Sequence, residues 1–425
     1  MFTLKIIFWI CLALVVYTYV GYGALLWVII RIKRLFERSE AEGQRSEAND
    51  LPQMTLMICA YNEEDVIHEK MENIRQLDYP REKLCVMWVT DGSTDRTNEL
   101  LRQYSEVTLV FSPERRGKAA ALEHGLSENK SPFVTFTDAN TMLNAGALRE
   151  IARQFTKPGV SCVAGEKRVA ARVVGDASKR CEVVGDASKR CNSETGTLGS
   201  VPHYEAQTAA EGEGLYWRYE STLKLWDSEL YSAMGAAGEL FAVRMEHYRR
   251  PPQNALLDDF MMSMLIVQDG HRIAYTSDAY ATEYGSANLQ EESKRKRRIA
   301  AGGLQSTWWL RSLMNPLRYP KVAFQFVSHR VLRWTITPFA MLALIPLNIA
   351  LVVMGAGAAY NIILVLQMLF YLAALTGWLL ARSGHKNKLL NVPSYFLFMN
   401  FNVFLGIRYL MTHSKSGAWE KASRG

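Results

Sequence analysis

Asp138 and Asn140 stand two residues apart at the end of the run Ser131-Pro-Phe-Val-Thr-Phe-Thr-Asp138-Ala-Asn140. An extended backbone sends both side chains to the same side. Two hard oxygen ligands so placed can hold Mg2+ or Mn2+, ions that keep positions open for substrate phosphates. A polar turn after a strand would have the same composition, so the pair gains meaning from the charges around it. Asp91, in Val89-Thr-Asp91-Gly92-Ser93-Thr94-Asp95, is an acid at a strand tip that can accept hydrogen bonds from a base edge. Gly92 permits a sharp turn there, and Ser93, Thr94 or Asp95 can cap the next helix. Arg115-Arg116-Gly117-Lys118 is a cationic turn opening a helix. Helix N-termini and Lys both attract phosphate, which suits a diphosphate, although a solvated surface turn would read the same. Asp258 and Asp259 head an apolar helix, where the helix dipole alone would favour acids. Gly235-Ala-Ala-Gly238-Glu239 supplies small residues before a strand, where backbone can approach a ligand closely. The basic run Lys294-Arg295-Lys296-Arg297-Arg298 suits the phosphates of a substrate or of lipids.

These residues need a scaffold that gathers them. Between about 51 and 285, short apolar runs alternate with helical patterns. Strands are predicted at Met54–Cys59, Leu84–Val89, Val107–Phe111 and Phe133–Phe136, and helices at Glu64–Gln76, Thr97–Tyr104 and Ala119–Leu126. The alternation predicts parallel βαβ units covered on both faces. Such sheets bind ligands at the carboxyl ends of their strands. Cys59-Ala-Tyr61-Asn62-Glu63-Glu64 and the Asp91 and Asp138 motifs each follow a predicted strand at that end.

The chain has 425 residues, 49% of them apolar, with a net charge of +7. Basic residues cluster beside apolar segments, a membrane pattern that argues against nucleic acid as a partner. Leu4 to Ile30 is long enough to cross a bilayer and runs straight into Arg31-Ile-Lys33-Arg34. It is therefore expected to be an uncleaved anchor over 1–34, not a signal peptide, with the next domain in the cytoplasm. Ile336–Met354 and Tyr360–Ala381 are further predicted spans, and Pro393–Leu410 is either another span or an interfacial helix. Trp308–Trp334 has the composition of an amphipathic helix on the cytoplasmic leaflet. The six cysteines lack metal spacing and read as reduced thiols. Val173–Cys181 recurs identically as Val183–Cys191 inside a polar insertion, 171–210, expected to be a flexible surface loop. The expected organisation is an anchor, a soluble domain over 50–290, a basic and interfacial segment over 291–334, spans over 335–412 and a tail over 413–425.

The order of the motifs resembles the membrane-embedded family 2 glycosyltransferases, such as cellulose, chitin and hyaluronan synthases and bacterial exopolysaccharide synthases. The resemblance covers roughly residues 50–310 and the apolar segments on both sides. It implies an α/β GT-A fold joined to transmembrane helices, a UDP-sugar donor, Mg2+ or Mn2+, and inversion at the anomeric carbon. It also implies a polysaccharide or lipid acceptor, the lipid bilayer as partner, and a multi-pass protein of the inner membrane. By the same resemblance Tyr61, Glu63 and Asp91 match nucleotide-binding positions, and Lys118 a basic position near the diphosphate. Glu239, Asp258, Arg295 and Arg298 are substrate-binding positions, Asp138 and Asn140 bind the metal, and Asp259 is the catalytic base. The chain departs from the family at Asn140, in place of a second acid, and at Thr90, in place of an Asp. Arg295 to Ile299 lies where the family carries QxxRW, so Ile299 replaces an acceptor-stacking Trp, and Trp308 or Trp309 is the nearest substitute. Polymer synthesis coupled to secretion is the leading expectation. Transfer of one sugar to a lipid, or a non-catalytic sugar-nucleotide partner, are the alternatives.

Overall fold

The computed structural model describes residues 1–37, 50–170, 217–284, 289–383 and 387–413. The tandem copies, the insertion over 171–210 and the tail from 414 onward lie outside the described residues.

One eight-stranded sheet organises the region between the apolar helices. Its strands are β1 (Met54–Ala60), β2 (Leu84–Asp91), β3 (Val107–Ser112), β4 (Phe133–Asp138), β5 (Met142–Leu143), β6 (Val160–Ala170), β7 (Leu240–Arg244) and β8 (Arg272–Tyr284). The spatial order is β3-β2-β1-β4-β7-β6-β8-β5. The first four strands in this order run parallel, as the alternating pattern predicts. β7 then joins β4 antiparallel, with Leu240 opposite Thr137. This departs from an all-parallel sheet. Residues 235–239 lie at the carboxyl end of β4, so β7 starts there and must run back. Along β1, Met57 packs into one hydrophobic cluster while Leu56 and Ile58 pack into another. The period-2 alternation thus fills both faces of the sheet.

The register decides where the polar residues fall. Cys59 lies opposite both Val89 and Asp138, and Ala60 lies opposite Thr90. β1, β2 and β4 therefore end almost level, and their following residues share one rim. Helices α3 (Ile67–Arg75), α4 (Thr97–Leu101), α5 (Lys118–Glu128), α6 (Ala147–Phe155), α7 (217–230) and α8 (Asp258–Gln268) cover the sheet. The N-terminal membrane segment is written α1 (Phe2–Val16) and α2 (Tyr22–Glu37), joined by a π turn. α3 starts three residues later than its pattern predicts. Glu64 is held out of the helix because its backbone N–H donates to Asp95 and its carboxylate accepts from the Arg96 N–H.

Beyond the sheet come α9 (Leu289–Trp309), α10 (Pro320–Phe326), α11 (Leu332–Trp334), α12 (Ile336–Val353), α13 (Ala358–Arg382) and α14 (Lys388–His413). Among the described residues four helices are long and apolar enough to cross a membrane: Phe2–Phe36, Ile336–Val353, Ala358–Arg382 and Leu389–Thr412. The Pro393–Leu410 stretch thus belongs to a helix of spanning length. Its polar residues are matched: Asn402 accepts from Ser293, and Asn400 accepts from Tyr19. Residues 308–334 do not form one amphipathic helix on the surface. They break into short turns whose Val322, Phe326, Val331 and Trp334 join the main core beside Phe260. Trp308 and Leu317, by contrast, are exposed.

Where α7, α10 and α11 meet, the structure buries a cluster of charges. Arg330 Nη1 lies 2.6 Å and Arg333 Nη1 2.8 Å from the Glu220 carboxylate. His329 Nδ1 lies 2.5 Å from Asp227, which also accepts from the Tyr22 hydroxyl on α2. Burial alone would raise the Glu220 carboxyl; Arg330 and His329 reverse this and hold it well below the usual range. Glu220→Ala removes the carboxylate that two buried guanidiniums share, a change that costs about 3–5 kcal/mol. A marked fall in the unfolding midpoint of the detergent-purified protein checks it.

Candidate active site

The site assembles on the rim where β1, β2 and β4 end. Asp138, the last residue of β4, receives a 2.8 Å ion pair from Lys118 Nζ at the start of α5. Both side chains remain 22% exposed, so the pair faces a cleft and is open to a ligand. Burial alone would lower the Lys118 ammonium pKa; Asp138 and Asp258 outweigh it and hold it above its ordinary value. Lys118 is therefore a permanent cation.

Asp91 is buried at the tip of β2 and holds the turn that delivers Lys118. Its Oδ1 accepts from the Arg116 N–H at 2.8 Å and its Oδ2 from the Gly117 N–H at 2.7 Å. A carboxylate on two backbone donors fixes that turn, as a cap fixes a helix start. Gly92, at φ +66°, carries the chain past it: a Cβ there would meet Arg115 N at 2.6 Å. The neighbouring loop is stitched to the same turn. Asn62, at φ +54°, accepts from the Thr94 N–H at 2.8 Å, and the Glu63 N–H donates to Thr97 at 2.9 Å. Tyr61 lies under the Arg115 guanidinium, 4.0 Å from ring centre to carbon. Tyr61, Glu63, Asp91 and Lys118 are thus brought to one corner.

Across the cleft, Asp258 and Asp259 open α8. A methyl group at Gly238 would stand 3.2 Å from Asp259 Oδ2 and 3.5 Å from Lys118 Nζ. The acid and the ammonium therefore converge on one glycine that leaves the space open. A narrow cavity of about 10 Å3 lies there, bordered by Cys59, Lys118, Asp138, Gly238, Asp258 and Asp259. Burial, reinforced by Asp258, pushes the Asp259 carboxyl up to about 7, against the pull of Lys118. Asp258 Oδ2 is buried without a hydrogen-bond partner. Burial lowers the Arg298 pKa, while Asp258 and Asp259 oppose the shift, which places this cation in the field of both acids.

Glu239, just before β7, sits under a second charge cluster. Lys167 Nζ lies 3.1 Å and Arg295 Nη2 3.5 Å from its Oε1. Burial would raise Glu239, but Lys167 and Arg295 hold it well below the usual carboxylate range. Arg295 also stands 3.8 Å from Glu283 and from Glu292. Glu239 and Arg295 therefore tie β7 to α9. Ile299, one turn further along α9, borders a separate cavity of about 310 Å3 at the level of the spans, with Tyr19, Tyr219, Trp334, Tyr395 and Phe396. Trp308 and Trp309 do not border it: Trp308 is exposed, and Trp309 packs on the main core. Thr90, at the tip of β2, is buried, and its hydroxyl finds no partner.

The donor set suits a hard divalent cation only in part. Asp138 brings a carboxylate to the cleft and the unpartnered Asp258 oxygen stands across from it, while Asn140, in the turn just after β4, is half-buried. Among the described residues no group of three or more His, Cys, Asp and Glu is arranged as a metal cage. A Mg2+-type ion, which completes its shell with water and phosphate oxygens, fits so sparse a set. Sequence reasoning missed Lys70 on α3. It is buried directly behind the Asp138–Asn140 turn, and burial draws its amine down to about 7, with Asp138 opposing. Nothing in a helical Glu-Lys-Met-Glu stretch marks that lysine as internal.

Sheet order, rim and cleft together are those of a GT-A fold. Residues 55–244 match the model described as Glycosyl transferase family 2. This stretch is thus a family 2 glycosyltransferase domain, set between apolar helices as in the membrane-embedded members. A poly-beta-1,6-N-acetyl-D-glucosamine synthase of Staphylococcus aureus (strain MSSA476) is 29% identical over 125 residues, covering 28% of this chain and 30% of that protein. The synthase of the same description from Staphylococcus epidermidis is 26% identical over 129 residues, covering 29% and 31%. The chain thus spans about a third of the length of these curated relatives. The mannosyltransferase PcManGT from Pyrobaculum calidifontis, solved in complex with GDP-Man and Mn2+, superposes with a TM-score of 0.65 at 21% identity. That match covers 96% of this chain and 100% of the other, so the likeness in fold extends through the apolar helices.

Gly92→Ala forces both a left-handed residue and a backbone clash, and is expected to cost about 1–3 kcal/mol. A lowered unfolding midpoint together with a raised donor KM checks it, because the displaced Arg115 turn carries Lys118.

Proposed function

We propose that the chain transfers a sugar, with inversion, from a UDP-sugar to a growing polysaccharide at the inner membrane. The catalytic domain would face the cytoplasm, and secretion would follow through the chain's own spans. The observation that carries the reading is the convergence of Asp259 and the Lys118–Asp138 pair on Gly238. The acceptor hydroxyl attacks the anomeric carbon while Asp259 takes its proton as general base. The bond from that carbon to the diphosphate oxygen breaks, and the leaving charge falls beside Lys118 and Arg298, already in place as cations. Asp138 and Asn140 would hold Mg2+ or Mn2+, which when bound neutralises diphosphate charge. Tyr61, Glu63 and Asp91 would form the nucleotide corner, while Glu239 and Arg295 would support the acceptor side. The relatives described as polysaccharide synthases support the polymer, and PcManGT, solved with a nucleotide sugar and Mn2+, supports the donor class and the metal.

A second reading has a lipid acceptor receiving a single sugar. The cavity beside Ile299 favours it, because aromatic and aliphatic side chains make up most of its border. Incubating the purified protein with labelled UDP-sugars separates the two: a ladder of long products supports the polymer, and one lipid-soluble product supports the lipid acceptor.

Asp259→Asn is expected to lower turnover at least about a hundredfold while UDP binding persists. Asp138→Ala abolishes transfer, and Asn140→Asp retains it with an altered metal preference; undiminished transfer in Asp138→Ala sinks the metal assignment. The raised Asp259 value sets a pH dependence. A base works only when deprotonated, so kcat/KM rises with pH through about 7 and levels off above it. Asp258→Asn removes one of the influences that raise Asp259, so the limb moves to lower pH in that variant.

A further inference from the structure

We infer that Lys70 is a positioning residue for the Asp138–Asn140 turn: from α3 it grips the Thr141 carbonyl and so fixes how the two oxygen ligands face the donor. The inference rests on the reading of that turn as the donor's metal and diphosphate site. Lys70 is 0% exposed. Its Nζ donates to the Thr141 carbonyl at 2.5 Å and to Thr137 Oγ1 at 3.3 Å. Among the described residues no carboxylate lies within ion-pair distance of it. A buried lysine amine held only by a carbonyl and a hydroxyl gives up more hydration than two such bonds return, so this one does not serve stability alone.

The bonds around it close the turn from behind. Thr141 Oγ1 donates to the Asp138 carbonyl at 2.9 Å, and Thr137 Oγ1 donates to the Glu239 carbonyl at 2.9 Å. One turn along α3, Asn73 exchanges two bonds with Leu143, at 2.8 and 2.9 Å. Asp138 and Asn140 thus lie between two points, 137 and 141, that Lys70 holds together, while α3 itself starts one turn after the Tyr61–Glu63 motif. The helix that begins at the nucleotide corner also sets the ligand turn. Thr137 carries the same constraint to Glu239 and the start of the neighbouring strand β7.

The test is Mn2+ binding to the full-length protein in the presence of UDP, followed by electron paramagnetic resonance, with unfolding midpoints measured alongside. Lys70→Met, of similar length and apolar, is expected to fold and to weaken Mn2+ binding about tenfold or more, as loss of a supporting partner does. Lys70→Gln, which keeps one donor for the Thr141 carbonyl, should fall between it and the wild type. If Lys70→Met does not fold, Lys70→Gln decides on the same measurement. A folded variant with wild-type Mn2+ affinity overturns the role, and a lowered midpoint without any change in affinity marks a merely structural lysine, which also overturns it. Asp138→Ala is the reference. If it loses Mn2+ while Lys70→Met does not, only the lysine's role falls; if neither loses it, the reading of the site itself falls.

Discussion

A charge removed from water must find its opposite, and this chain builds its working parts around that rule. Among the described residues, one half-buried ion pair and two buried clusters follow one another through the molecule. The Lys118–Asp138 pair stands at the rim of the sheet. Glu239, Lys167, Glu283 and Arg295 knit β7, β6 and β8 to α9. Glu220 and Asp227 on α7 take Arg330, Arg333, His329 and the Tyr22 hydroxyl. Such clusters add little net stability over apolar packing, but once one partner is in place the other cannot be moved away cheaply. They therefore fix geometry. The first sets the cleft, the second the wall beside it, and the third the junction with the apolar helices.

The cleft depends on backbone as much as on charge. Parallel strands that end level give a rim, and a strand returning antiparallel from that rim supplies small residues instead of a bulky crossover. Gly238 is the result: a place where an acid and an ammonium stand close and nothing fills the space between. Asp91 shows a comparable economy. An acid at a strand tip reads as a ligand contact, yet both its oxygens accept from the turn that presents Lys118. It shapes the corner beside Lys118 through the backbone, while its second lone pairs remain for other donors.

Much of this was legible in the chain. β1 to β4 announce themselves because their β-branched and aromatic runs end in turn residues, and the chemistry sits in those turns. β6 and β8 were harder to see. Their interiors carry Glu166, Lys167, Asp278 and Glu283, which break apolar alternation and become acceptable only because Lys167 and Glu283 pair across the ladder. Residues 308–334 misled for the same reason. Arg330 and Arg333 look like cations for a leaflet until Glu220, over a hundred positions earlier, is brought beside them. Lys70 was invisible, since its partners are a carbonyl and a hydroxyl of a distant strand end. Pairings distant in sequence leave no periodic trace.

The joint between α2 and α7 has a mechanical meaning. Besides the Tyr22–Asp227 bond, Arg34 forms a 2.7 Å ion pair with Glu229, and Lys33 donates to the Glu229 carbonyl at 2.5 Å. The first apolar helix is thereby tied to α7 at points a little over three turns apart. Those ties set the height of the sheet's rim relative to the apolar helices, as the jaws of a caliper are set. With Asp259 as the proposed base, only a hydroxyl presented at that height would meet it, and acceptor choice would become a question of reach as well as of chemical recognition.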